Sequence, residues 1–178
     1  PDGYKTLEFV AQVPDMNVVQ TKAVDPDGGG VQQMTVFCFD ANDLFITTVA
    51  ADITPDTANP SLSGRLKVTV PDHTVTIQLV GNQNLTYFRE DNYRGMSEID
   101  VMASLEASAG RMIYWARKTV DQLKSHNTDS NPVQLLRNQA KITLNVESST
   151  GFEQKGWVVV NSNAFGTVAP YCPEHGFE

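Results

Sequence analysis

Apolar and polar residues alternate with a period of two through most of this chain. Leu7, Phe9, Ala11 and Val13 fall on one side of an extended segment, and Glu8, Val10 and Gln12 on the other. That is the pattern of a strand with one face in a core. Pro14-Asp15 stops it. A loose stretch follows, with Lys22 its single base, and runs into Asp25-Pro26-Asp27-Gly28-Gly29-Gly30. The first strand is thus expected to hang on a long, soft, cuttable connection.

The same reading predicts the later elements. Val31 to Asp40 is a strand, with Val36 and Cys38 facing one way and Thr35, Phe37 and Phe39 the other. Two mostly apolar faces predict a central position. Ala41-Asn42-Asp43 turns it, and Leu44 to Ala50 is its hairpin partner. Asp52 to Gly64 is rich in Pro, Asn, Ser and Thr and reads as a loop. Arg65 to Val70 alternates cleanly, Pro71-Asp72-His73 turns, and Val75, Ile77 and Leu79 mark a strand ending at Gly81-Asn82. These two strands are expected to pair with each other.

Ser97 is a candidate helix cap, followed by Glu98 and Asp100, with Ile99, Met102, Ala103 and Glu106 at helical spacing and Gly110 as the stop. Met112 to Arg117, Leu135 to Val146 and Trp157 to Asn161 read as further strands. About eight strands at short spacing with one helical insert predict an antiparallel β-sandwich. The expected division is a sandwich over residues 1–168 and, from 169 to 178, a linker toward a second domain.

Charge narrows the function. The chain has 178 residues, with 13 basic and 21 acidic side chains and a net charge of −8. Phosphate contacts need clustered Lys and Arg, and no such cluster is present, so no nucleic-acid partner is expected. No apolar run approaches the roughly 18 residues of a membrane-spanning helix. The two cysteines, Cys38 and Cys172, make no disulfide framework and are read as unpaired thiols, Cys38 as a small buried hydrophobe. An oxidising compartment would permit a bond between them.

Candidate chemistry is sparse. His73, His126 and His175 lie far apart in polar loops. Cys172 and His175 have Cys-x-x-His spacing, which supplies two zinc ligands at most, with no others nearby. Asp25 and Asp27 do not match a calcium-loop spacing. No catalytic elbow or phosphate loop occurs. Neither a metal nor a cofactor is expected, and no convergent acid, base and nucleophile point to an enzyme. Tyr114, Trp115 and Trp157 are candidates for a sugar-stacking platform, against the commoner use of strand aromatics in a core. Asn84-Leu85-Thr86 spells a glycosylation sequon. Lys22, beside glycines in a loop, is a candidate cleavage site for a trypsin-like protease.

Four pieces in order carry a resemblance. They are Phe9 to Val13 with the tether and Met34 to Asp40; Leu66 to Val70 with Thr76 to Asn82; Met112 to Arg117; and Leu136 to Leu144 with Gly166 to Tyr171. Together they resemble the N-terminal domain of the Bacteroidales fimbrillin family, the type V pilins and their relatives. The resemblance implies a transthyretin-like sandwich and a lipoprotein exported to the cell surface and outer membrane. It implies a protease cut at the position matching Lys22. It also implies that the loss of the first strand opens a groove that a strand of another pilus subunit fills. Lys stands where Arg is common in that family.

The expectation is therefore a structural or adhesive fimbrial subunit. Leu7, Phe9, Ala11 and Val13 would form the exchangeable strand, and other subunits and a trypsin-like protease would be its partners. The alternative is a non-polymerising adhesin or a glycan-binding tip or anchor protein that keeps its first strand. Such a protein would contact host or bacterial surface ligands, with Trp115 and Trp157 touching the sugar. Burying four alternating side chains is worth on the order of 5–8 kcal/mol, enough to make an exchanged strand very slow to leave. If the chain is uncut, those four should be buried.

Overall fold

The computed structural model describes residues 3–13, 30–60, 63–107, 112–138, 156, 158, 160 and 166–177. The strands are β1 (Tyr4–Gln12), β2 (Met34–Phe39), β3 (Phe45–Pro55), β4 (Ser63–Pro71), β5 (Thr76–Gly81), β6 (Tyr114–Thr119), β7 (Val133–Gln134) and β8 (Leu136–Arg137). They are hydrogen-bonded in the order β7-β1-β4-β3-β2-β5-β6-β8. The mainly β architecture matches the sequence expectation.

Strand β3 makes this sheet a sandwich. Its first part pairs with β2, from Phe45 opposite Phe39 to Ala51 opposite Met34. Its last part pairs with β4, from Asp52 opposite Lys67 to Pro55 opposite Gly64. One strand therefore passes from one layer to the other, the usual way to make a corner between packed sheets. The inner faces meet in a core. Phe9, Leu66, Val68 and Val70 come from the β1–β4 layer, and Val36, Cys38, Ile77, Leu79 and Ala116 come from the β2–β5–β6 layer.

The outer face of the second layer is also covered. Phe37, Phe39, Val80 and Trp115 form a second cluster with Val101, Met102, Leu105, Val168 and Ala169. This accounts for the two apolar faces of β2, whose expected central place is observed between β3 and β5. β5 is buried along its whole length.

Three expectations change. β4 and β5 do not pair, because they lie in opposite layers and the Pro71-Asp72-His73 turn arches between them. Alternation reports which side of a strand is apolar, not which strand lies beside it. The loop expected at Asp52 to Gly64 is shorter, since β3 runs to Pro55 and β4 begins at Ser63. The helix α1 (Glu98–Ala103) is capped as expected, with Ser97 Oγ accepting from the Asp100 amide. It ends at Ala103, and its buried residues are Glu98, Val101 and Met102, whereas Ile99 is exposed.

Two small elements were not anticipated. Helix α2 (Val120–Leu123) opens with a capping box, in which Thr119 and Gln122 satisfy each other's backbone amides. The tail expected as a linker forms a hairpin, β9 (Tyr171–Cys172) and β10 (Gly176–Phe177). The strand expected from Leu135 to Val146 lies outside the described residues beyond 138, as does most of the one expected from Trp157 to Asn161.

Candidate functional site

The site is the slot that β1 occupies. β1 pairs antiparallel with β4 along its whole length, from Tyr4 opposite Pro71 to Gln12 opposite Ser63. On its other side, among the described residues, it pairs with β7 only at Ala11 and Gln12, in parallel. Its inward side chains Phe9, Ala11 and Val13 are buried in the core with Leu66, Val68, Val133 and Leu135. Leu7 is only half-buried and packs at the margin of that core, so three of the four expected core positions are fully enclosed. Val10 on the opposite face is buried too, and its N–H donates to the His126 carbonyl oxygen at 2.7 Å.

The strand's exposed fringe is held by polar contacts. Lys5 Nζ donates to the carbonyl oxygens of Asp72 and Thr74 at 2.8 and 2.7 Å. The Thr6 and Thr69 hydroxyls lie 3.1 Å apart across the ladder. Glu8 and Arg65 form an exposed ion pair at 3.9 Å, which contributes little. The binding energy of β1 therefore sits in its C-terminal half, where burial of Phe9, Ala11 and Val13 stabilises by on the order of 5 kcal/mol.

A second constellation was not legible in the sequence. Glu98, 4% exposed, pairs twice with Arg117, Nε to Oε1 and Nη2 to Oε2, both at 2.8 Å. Gln78 on the fully buried β5 donates to Glu98 Oε1 at 2.7 Å, and the Trp115 indole N–H donates to Gln78 Oε1 at 2.7 Å. The Glu98 hydrogen bonds hold the Arg117 guanidinium above its usual range, although burial opposes them. Phe177 of the tail hairpin closes the outside, 5.8 Å from the Arg117 guanidinium and 6.3 Å from the Trp115 ring. The one available signal was Gln78, a polar residue inside an apolar run.

Glu90 is a third anchor. Its carboxylate accepts from the Thr48 amide at 2.7 Å, from the Thr47 hydroxyl at 3.0 Å and from the Thr48 hydroxyl, and it pairs with Arg94. Burial pushes this carboxyl up, but the bonds from Thr48 and Thr47, with Arg94, outweigh burial and hold it below the ordinary range.

The other sequence candidates fall as follows. Trp115 is 4% exposed and its N–H is committed to Gln78, which leaves a sugar neither face nor donor. The expected glycan contact at Trp115 is thereby corrected to a core role, and Tyr114 is buried as well. Trp157 and Lys22 lie outside the described residues, as do Asp25 and Asp27. Cys38 is buried and Cys172 partly exposed, and both are free. Burial pushes the Cys38 thiol up to about 12. Cys172 and His175 close the tail turn through a backbone bond of 3.1 Å, and no group of three metal-ligating side chains occurs among the described residues.

The architecture is that of a β-sandwich whose core is completed by its own first strand. The model of the family described as fimbrillin-A associated anchor proteins Mfa1 and Mfa2 matches residues 6–165. The chain belongs to that family, whose members are fimbrial and placed at the cell surface. A solved structure, the tip fimbrial protein Mfa3 from Porphyromonas gingivalis with a C-terminal truncation, is similar at 11% identity and a TM-score of 0.44. The match covers 76% of this chain and 48% of that one, so this chain spans about half of that protein's length. No curated protein matches the chain. No helix among the described residues is long and apolar enough to cross a membrane.

Proposed function

We propose that this chain is a non-catalytic structural or adhesive fimbrial component that joins other subunits by strand exchange at the β1 slot. The observation that carries this reading is the asymmetry of β1. It carries core side chains, yet it is paired along its full length on one side and only at Ala11 and Gln12 on the other among the described residues. Its removal would bare the apolar groove over Leu66, Val68 and Leu135 and the edge of β4. A strand from another subunit would restore both the side-chain burial and the backbone pairing. In this reading the chain is an exported outer-membrane lipoprotein, and a trypsin-like protease cuts after Lys22 to release the strand. Incubation with trypsin and a fimbrial partner should yield a cut after Lys22 and a joined product. A Lys22→Ala chain that joins its partner equally well would overturn the role of that residue.

A second reading is favoured by the family's description as anchor proteins. An anchor keeps β1 in place and ends the fibre. Under it, protease leaves the 1–22 segment attached and no exchange is observed.

A further inference from the structure

The inner face of β1 carries one charged side chain. Side chains on that face recur every second residue, so Lys5 stands in line with Leu7, Phe9 and Ala11. Its partner across the ladder is Val70, which is fully buried in the inner core. Lys5 does not leave its amine in that core. The side chain reaches the turn between β4 and β5, where Nζ donates to the carbonyl oxygens of Asp72 at 2.8 Å and Thr74 at 2.7 Å. The bond to Thr74 is partly buried, and Thr74 itself is 1% exposed. Neither carbonyl accepts a backbone hydrogen bond among the described residues. The turn thus offers two convergent acceptors at the end of the slot, and an ammonium on a long apolar stem satisfies both.

This contact supplies what the apolar residues lack. Alternation fixes which side of β1 faces inward, but a shift of two residues keeps the same side inward. Leu7, Phe9 and Ala11 therefore separate registers two residues apart only weakly. A shift one way sets Lys5 opposite Val68, moves its amine about 7 Å along the slot away from both carbonyls, and leaves a charge in the core. A shift the other way carries Lys5 past Pro71 and puts Leu7, which has no donor, opposite Val70. We propose that the Asp72 and Thr74 carbonyls form an amine-recognition subsite. It fixes the register of the strand in the slot and selects an incoming strand of another fimbrial subunit that carries Lys in the place of Lys5, four positions before its core aromatic residue. This rests on strand exchange as the function, and it identifies the chemistry that the donor strand must bring.

The test uses the full chain in a Cys172→Ser background, nicked at a protease site engineered near residue 22 with the 1–22 segment still bound. Labelled peptides of residues Tyr4 to Val13 carry the parent sequence, Lys5→Met, or Lys5→Met with Thr6→Lys, which keeps the charge but turns the amine outward. The parent should displace the resident segment with an affinity roughly tenfold or more above both others, as the loss of two bonds to an ammonium implies. Register is read separately. Glu8 and Lys67 are exposed and lie opposite each other, so a Glu8→Cys peptide should cross-link to a Lys67→Cys chain. With Lys5→Met added, cross-linking should spread to chains with Arg65→Cys or Thr69→Cys, on either side of Lys67. Equal binding of the parent and Lys5→Met peptides, rescue by Thr6→Lys, or an unchanged register without Lys5 overturns the subsite and leaves strand exchange standing. If no peptide displaces the segment, strand exchange itself fails, and the subsite with it.

Discussion

Phe9 is the residue on which the first strand depends most. It is fully buried between the layers, whereas Leu7 two residues earlier is only half-enclosed. Phe9→Ala should cost about 3–5 kcal/mol in denaturant unfolding, and Thr6→Ala less than about 1 kcal/mol. The Glu98–Arg117 pair predicts a different loss. Glu98→Gln leaves a largely enclosed guanidinium without its carboxylate, and should cost about 3 kcal/mol. Arg117 keeps about a third of its side chain in solvent (31%), which sets the value at the low end of that range.

Glu90 gives a pH dependence. Its folded carboxyl sits below its usual value of 4.5, so its contribution is present above that value and is lost as the pH falls toward the folded one. Glu90→Gln should lower stability at pH 7, and the difference from the parent should shrink as unfolding is measured at successively lower pH below about 4.5. Of these three roles only that of Phe9 is written in local pattern. Periodicity marked Phe9 as inward, but Glu98 looked like a helix-start acid, and its partner lies on β6, brought close only by the fold.

At the scale of elements, the sequence was informative where residues alternate cleanly between two sides of a strand. β1, β2 and β4 were legible with their inward residues, because a period of two leaves little choice of side. Strand partnership was not legible. β4 and β5 follow each other across a tight Pro71-Asp72-His73 turn, yet each pairs elsewhere, since the turn crosses between layers. The tail hairpin was missed because it has only two ladder pairs and no periodicity, too little to stand without tertiary support. That support is Phe177, edge-on to Tyr171 at 5.2 Å and packed on Trp115 and Arg117. Phe177→Ala should free the hairpin while the sandwich stays folded. In a Trp157→Phe background, the Trp115 emission should shift to the red and amide exchange over 168–177 should rise, with the exchange of β2 and β5 unchanged.

At the scale of the molecule, two cores divide the work. The inner one between the layers is completed by β1, and the outer one is sealed by α1 and the tail. The buried network at Gln78, Glu98 and Arg117 lies on the side of the outer core, so removal of β1 is expected to leave it untouched. This separation is what a domain needs in order to give up one strand and keep its shape. The resemblance in motif order named the family that the family model then matched over residues 6–165. The proposed strand exchange is beyond the reach of pattern, because it would depend on the difference between two bound strands rather than on either one.

The measurement that bears most directly on that difference is exchange of the first strand in the intact fold. The chain is nicked near residue 22, mixed with an isotopically labelled peptide of residues Tyr4 to Val13, and followed by native mass spectrometry and circular dichroism. The account predicts that the labelled strand replaces the resident one while the β signal is held, and that a Phe9→Asp peptide does not enter. A nicked chain that never releases its first segment, or that loses its β signal as the segment leaves, would contradict it.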